Sequence, residues 1–103
     1  PHHSSTMDTP AILATATDPD GRPVQLTEER WHHILDGHPE LGMFQDQILA
    51  AIRAPDERRA GRWPGEEWFY LGTTRPSRWL KVVVVYRGGK GRIITAFPRR
   101  SVP

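Results

Sequence analysis

Between Leu26 and Glu40 the positions Trp31, Ile34, Leu35 and His38 fall at i, i+3, i+4 and i+7, the spacing of one helical face. Thr27 is suited to cap that helix, Glu28 and Glu29 place negative charge in its first turn, and Gly37 with Pro39 stops it. Phe44, Ile48, Ala51 and Ile52 share a face of a second helix. It starts near Met43 or Phe44 and runs to Ala54, where Pro55 ends it. Ahead of both helices, Ala11 to Thr17 alternates weakly into Asp18-Pro19-Asp20-Gly21, a strong turn signal. The return at Val24 to Leu26 predicts a short hairpin. The pattern changes after Pro64. Glu66 to Gly72 is aromatic-rich, Trp79 to Tyr86 holds the run Val82-Val83-Val84-Val85, and Arg92 to Phe97 follows a glycine-rich turn at Gly88 to Gly91. These read as strands, the last two as a hairpin. Asp56 to Pro64 is charged and turn-rich and reads as a loop.

These elements predict an α+β fold: a short N-terminal β-hairpin, two helices and three further strands. The valine run lacks alternation, so both faces of its strand should be at least half covered. Two helices cover one face of so small a sheet, which leaves a hairpin, a partner or a cleft for the other. Side-chain period two groups Lys81 with Val83 and Val85, Trp68 with Tyr70, and Thr95 with Ile93 and Phe97. A face carrying Lys81, Thr95 and Tyr70 would be a polar floor rimmed by aromatics, able to hold a phosphate and stack a base. The simpler account makes Thr95 a β-former and Lys81 an edge lysine.

Length and composition narrow the choice. The 103 residues suit one small domain. Residues 1–6 read as an expression-tag remnant that takes His2 and His3 out of the argument, and 7–103 as the single domain. Cysteine is absent, so there is no disulfide, no thiolate nucleophile and no thiolate metal site. No metal and no cofactor is expected. With no apolar run of membrane-spanning length and no signal peptide, the chain reads as cytoplasmic. The net charge of +2 is modest but uneven: eight arginines and lysines follow Glu67, and no acid does. A basic second half suits an anionic partner, RNA first among them, or keeps a sheet edge soluble.

Histidine supplies the candidate chemistry. Cleaving RNA without a metal requires a base for the 2′-OH proton, an acid for the leaving 5′-oxygen, and cations for the charge developing on phosphate. Imidazole serves either proton role near neutral pH. His33 stands one turn after Glu29, and His38 lies at a helix C-terminus, which favours its charged form. On base rates, each is more often a capping or carbonyl-bound histidine than a catalyst.

The run Asp-x-x-Gly-Arg-x-Val-x-Leu-Thr-x-Glu-Arg-Trp-x-His-Ile-Leu-x-x-His-Pro-Glu-Leu, spanning Asp18 to Leu41, resembles the phage-type subgroup of the barnase, EndoU, colicin and RelE-like RNase superfamily. Ala54-Pro55-Asp56, Leu80 to Val84 and Arg92-Ile93-Ile94-Thr95-Ala96-Phe97 agree with it. The resemblance implies two N-terminal helices packed on an antiparallel sheet of about four strands, and metal-independent RNA cleavage by a toxin or phage effector, with an antitoxin or immunity protein as a further partner. It carries His33, His38 and Thr95 over as catalytic residues, joined by a basic residue for which Lys81, Arg75 and Arg78 are the candidates. Lys81 is assigned to catalysis, and Arg75, Arg78, Tyr70 and Arg92 to substrate binding. The alternative is a non-catalytic module of degenerate RNase-like fold that binds nucleic acid or protein.

Overall fold

A computed structural model describes residues 11–73 and 78–102. Strand β1 (Ile12–Thr17) and β2 (Pro23–Thr27) form the N-terminal hairpin. Helix α1 (Glu28–Gly37), a 3-10 turn (Pro39–Met43) and helix α2 (Gln45–Arg53) follow. Then come β3 (Glu57–Ala60), β4 (Glu66–Gly72), β5 (Trp79–Arg87) and β6 (Lys90–Arg99).

This corrects the expected architecture. The sheet has six strands in the order β1-β2-β6-β5-β4-β3 and is mixed, because β2 pairs in parallel with β6. The N-terminal hairpin is therefore part of the main sheet, and the helices sit between β2 and β3 instead of leading the chain. The segment read as a loop contains an edge strand, Glu57-Arg58-Arg59-Ala60, paired antiparallel to β4. The antiparallel sheet implied by the RNase resemblance is corrected with it.

The helices form where the pattern placed them. Thr27 Oγ1 accepts from Arg30 N–H at 3.2 Å, which satisfies one of the unpaired donors of the first turn. Ile34 from α1 and Ile48, Leu49, Ala51 and Ile52 from α2 are buried. They pack on Val24, Leu26, Phe69, Leu80, Val82, Val84, Ile93 and Ala96 of the sheet. Ile93 departs from simple alternation. The register shifts between Val83↔Thr95 and Val84↔Ile93, so Ile94 is an extra residue that turns Ile93 into the helix-side core, away from Thr95.

Gly91 faces that core at the β2–β6 junction. A Cβ there would lie 2.8 Å from Cε2 of Tyr86 and 3.0 Å from Val24 and Val84. The Tyr86 ring cannot give way, since its hydroxyl donates to Asp18 at 2.6 Å and Arg22 lies 3.7 Å from its centroid. Gly91→Ala should therefore cost about 1–3 kcal/mol, the usual penalty of overpacking, measurable by urea denaturation.

Candidate functional site on the open face of the sheet

The helices cover one face of β3–β6, and the strand registers decide what lines the other, on which Trp68, Val83, Thr95 and Phe97 are half-buried and Lys81 and Tyr70 are buried. Lys81 on β5 pairs with Tyr70 on one side and Phe97 on the other. Val83, two residues along, pairs with Trp68 and Thr95. Lys81, Tyr70, Trp68, Thr95 and Phe97 thus share one face, as alternation predicts for Lys81, Tyr70 and Thr95.

At the centre is a lysine in an aromatic cage. Lys81 is 7% exposed, and its Nζ sits 3.6 Å from the Trp68 ring centroid, 5.4 Å from that of Phe97 and 5.7 Å from that of Tyr70. Ring faces stabilise a cation that has lost water. The Trp68 ring is itself held, because its Nε1–H donates to Glu66 Oε2 at 2.6 Å. Among the described residues no carboxylate forms an ion pair with Lys81. Burial pushes its ammonium below the usual lysine range, and Arg99 and Arg62 push the same way against the pull of Glu66. Tyr70 is fully buried, and its hydroxyl has no hydrogen-bond partner among the described residues. Burial raises its pKa while the charges of Arg99 and Arg59 pull it down. A buried donor left unpaired costs free energy until something accepts from it.

One histidine reaches this floor. Beyond Gln25↔Arg92 the chain leaves β2 and turns into α1, which packs alongside β6. Its C-terminal end therefore meets Phe97: the His38 ring stacks on Phe97 with centroids 6.1 Å apart and 23° between planes. His38 Nδ1 bonds Glu40 Oε2 at 3.1 Å, which orients the ring. Phe97 touches both His38 and Lys81. His33 is exposed on α1 and makes none of these contacts, so the two histidines do not converge.

The other candidates spread around the sheet. Arg92 lies on the same face, paired with Val85, in a basic groove with Gln25, Arg87 and Lys90. Arg78 lines a separate cavity at the far end of β4 and β5. Arg75 lies outside the described residues. Sequence reasoning passed over Arg99, whose guanidinium is 5.9 Å from the Phe97 ring. It stands two residues beyond Phe97 on β6, so period two could have found it. Among the described residues no cluster of His, Asp or Glu could hold a metal ion, and no helix is long and apolar enough to cross a membrane.

A second polar cluster lies on the helix side. Asp18, with a fully buried side chain, accepts from Tyr86 Oη, from Arg22 Nε at 2.9 Å and from the Asp20 and Arg22 amides. Arg22 and Arg58 both reach Glu67, at 3.2 and 2.7 Å. These groups satisfy one another, which marks the cluster as structural.

No family model matches this chain, and no curated protein or solved structure matches it either.

Proposed function

We propose that the chain is a metal-independent RNA endonuclease whose reaction centre is the open face around Lys81. The observation that supports this best is the Lys81 ammonium held against the Trp68 and Phe97 rings, with Arg99 and the His38 imidazole on the same Phe97 ring.

The chemistry follows from the groups present. In cleavage the 2′-oxygen forms a bond to phosphorus while the P–O5′ bond breaks, leaving a 2′,3′-cyclic phosphate and a 5′-hydroxyl. In this reading His38 exchanges a proton with the 2′- or 5′-oxygen through its free ring nitrogen. Lys81 and Arg99 offset the charge that builds on the phosphate oxygens, and a poorly hydrated cation is stronger in this role. Thr95, on the same face, offers a hydroxyl to the phosphate, and the buried Tyr70 ring supports Lys81 from below. Trp68 offers a ring on which a base can stack.

Cleavage of total RNA in excess chelator tests the reading. Wild-type chain should convert RNA to fragments ending in cyclic phosphate. His38→Ala should slow this about 10²–10⁴-fold while keeping its circular dichroism spectrum. Intact RNA at micromolar chain would refute the nuclease. A second reading, RNA binding without cleavage, is favoured by His33 standing apart, which leaves one imidazole for two proton transfers. Filter retention of RNA that stays uncut would select it.

A further inference from the structure

The two longest strands carry their charge on one side only. Arg87 pairs with Lys90, Val85 with Arg92, Val83 with Thr95, Lys81 with Phe97 and Trp79 with Arg99. Every basic residue of β5 and β6 therefore lies on the face opposite the helices, while Leu80, Val82, Val84, Ile93 and Ala96 fill the helix side. Strict alternation could not achieve this, because Arg92 and Arg99 stand an odd number of residues apart. The extra residue Ile94 reverses the alternation between them and brings both onto one face.

One end of this row of cations is a groove. Arg87 of β5, Lys90 and Arg92 of β6 and Gln25 of β2 line it, and its volume is about 360 Å³. The three basic side chains are exposed, and none forms an ion pair or side-chain hydrogen bond among the described residues. The acids that the registers place on this face are engaged elsewhere. Glu57 pairs with Arg59 at 2.8 Å, and Glu66 Oε2 accepts from Trp68 Nε1 at 2.6 Å. Three like charges around one groove repel one another, and a bound anion relieves that repulsion. Arg87 is six residues beyond Lys81 on β5, which sets the groove about 20 Å along the strand from the caged lysine. The half-buried Trp68 and Phe97 rings lie towards the lysine end.

We infer that this groove grips a backbone phosphate of single-stranded nucleic acid, whose chain runs along β5 and β6 to Lys81. The distance suits a site of about four nucleotides, the lower end for small β folds that bind single strands. Unpaired bases can stack on Trp68 and Phe97, which the bases inside a duplex cannot do. That the strand is RNA rests on the nuclease reading, whereas the grip on its phosphates does not.

Deoxythymidine oligomers of two to eight nucleotides test it, because they lack the 2′-hydroxyl and stay uncut. Measured by fluorescence anisotropy on the full chain, affinity should rise about tenfold or more from the dimer to the hexamer. Arg87→Gln and Arg92→Gln should each weaken hexamer binding several-fold and make the slope of log K against log salt shallower by about 0.7. Arg53→Gln removes the same charge from an exposed position on α2 and should change neither. Equal affinity for dimer and hexamer overturns the groove, as does an equal loss in Arg53→Gln. Polyglutamate that binds as tightly as the hexamer, and is weakened as much by Arg87→Gln, overturns it in favour of an acidic protein. Hexamer binding with RNA left uncut keeps the groove and removes the nuclease. RNA cleavage by a chain that fails these binding tests does the reverse.

Discussion

Replacing Asp18 with alanine should destabilise the fold by about 3–5 kcal/mol, the range found when one member of a buried, hydrogen-bonded charge cluster is removed. The loss has three sources. Tyr86 Oη loses its acceptor at 2.6 Å, Arg22 loses its closest carboxylate at 2.9 Å, and the Asp20 and Arg22 amides lose the oxygen that closes the turn. The cluster also sets the pH window of stability. Burial pushes the Asp18 carboxyl up, but the Tyr86 hydroxyl, the two amides and the Arg22 charge outweigh it, so the net shift is downward from 3.8. A lowered acid pKa stabilises fully above the unfolded value and is lost as pH falls through the folded one. For Tyr86, burial and the bond to Asp18 raise the phenol well above its usual 10.0. That contribution is whole below pH 10 and disappears as the pH climbs beyond it. Urea midpoints should therefore hold level between these limits and fall on either side. Tyr86→Phe should flatten the alkaline fall, and Asp18→Asn the acid one. An Asp18→Ala chain as stable as wild type would remove the cluster from any structural role.

Lys81→Met should lower RNA cleavage about 10²–10³-fold, the effect of losing one preorganised charge aimed at a developing anion, without loss of stability. The second half of this expectation is what separates a reaction group from a scaffold residue. A buried ammonium that has no ion pair among the described residues opposes folding at neutral pH, and the ring faces of Trp68, Phe97 and Tyr70, with the pull of Glu66, offset only part of its desolvation. Methionine keeps the length of the side chain and removes the charge. Because the Lys81 pKa is lowered, its charge penalty is present at neutral pH and fades as pH rises through the lowered value towards 10.5. Wild type and variant should thus converge in stability at alkaline pH. Activity measured beside a thermal melt checks both halves, and a folded Lys81→Met chain that cuts RNA at the wild-type rate removes Lys81 from the mechanism.

The helices were legible because their signals are local: a capping threonine, an apolar stripe, a proline or glycine stop. Alternation within each strand was legible too, so a shared face of Lys81, Tyr70 and Thr95 could be posed, but which faces meet depends on register between strands and only the pairing decides it. What stayed hidden depends on distant pairing. Strand β3 reads Glu-Arg-Arg-Ala and has no apolar face, because an edge strand half open to water needs none. The parallel contact of β2 with β6 rests on Val24↔Gly91 and Gln25↔Arg92, and neither segment carries a mark of the other. The extra residue Ile94 turned Ile93 away from Thr95, and nothing in Ile-Ile-Thr announces a bulge. Asp18 was readable as a turn residue, but its bond to Tyr86, far along the chain, was not. His38 looked like one member of the helix's apolar seam. Its stacking on Phe97 follows from the way α1 runs along β6, which is a tertiary fact.

The parallel seam has a kinetic consequence. Val24 and Gly91 are far apart along the chain, so the seam between β2 and β6 joins segments with most of the domain between them. Loops that long are entropically slow to shut, and refolding from denaturant should fall in the millisecond-to-second regime typical of non-local β topologies. The caged lysine does not wait on that event, because Phe97 reaches Lys81 through the tight hairpin that joins β5 to β6.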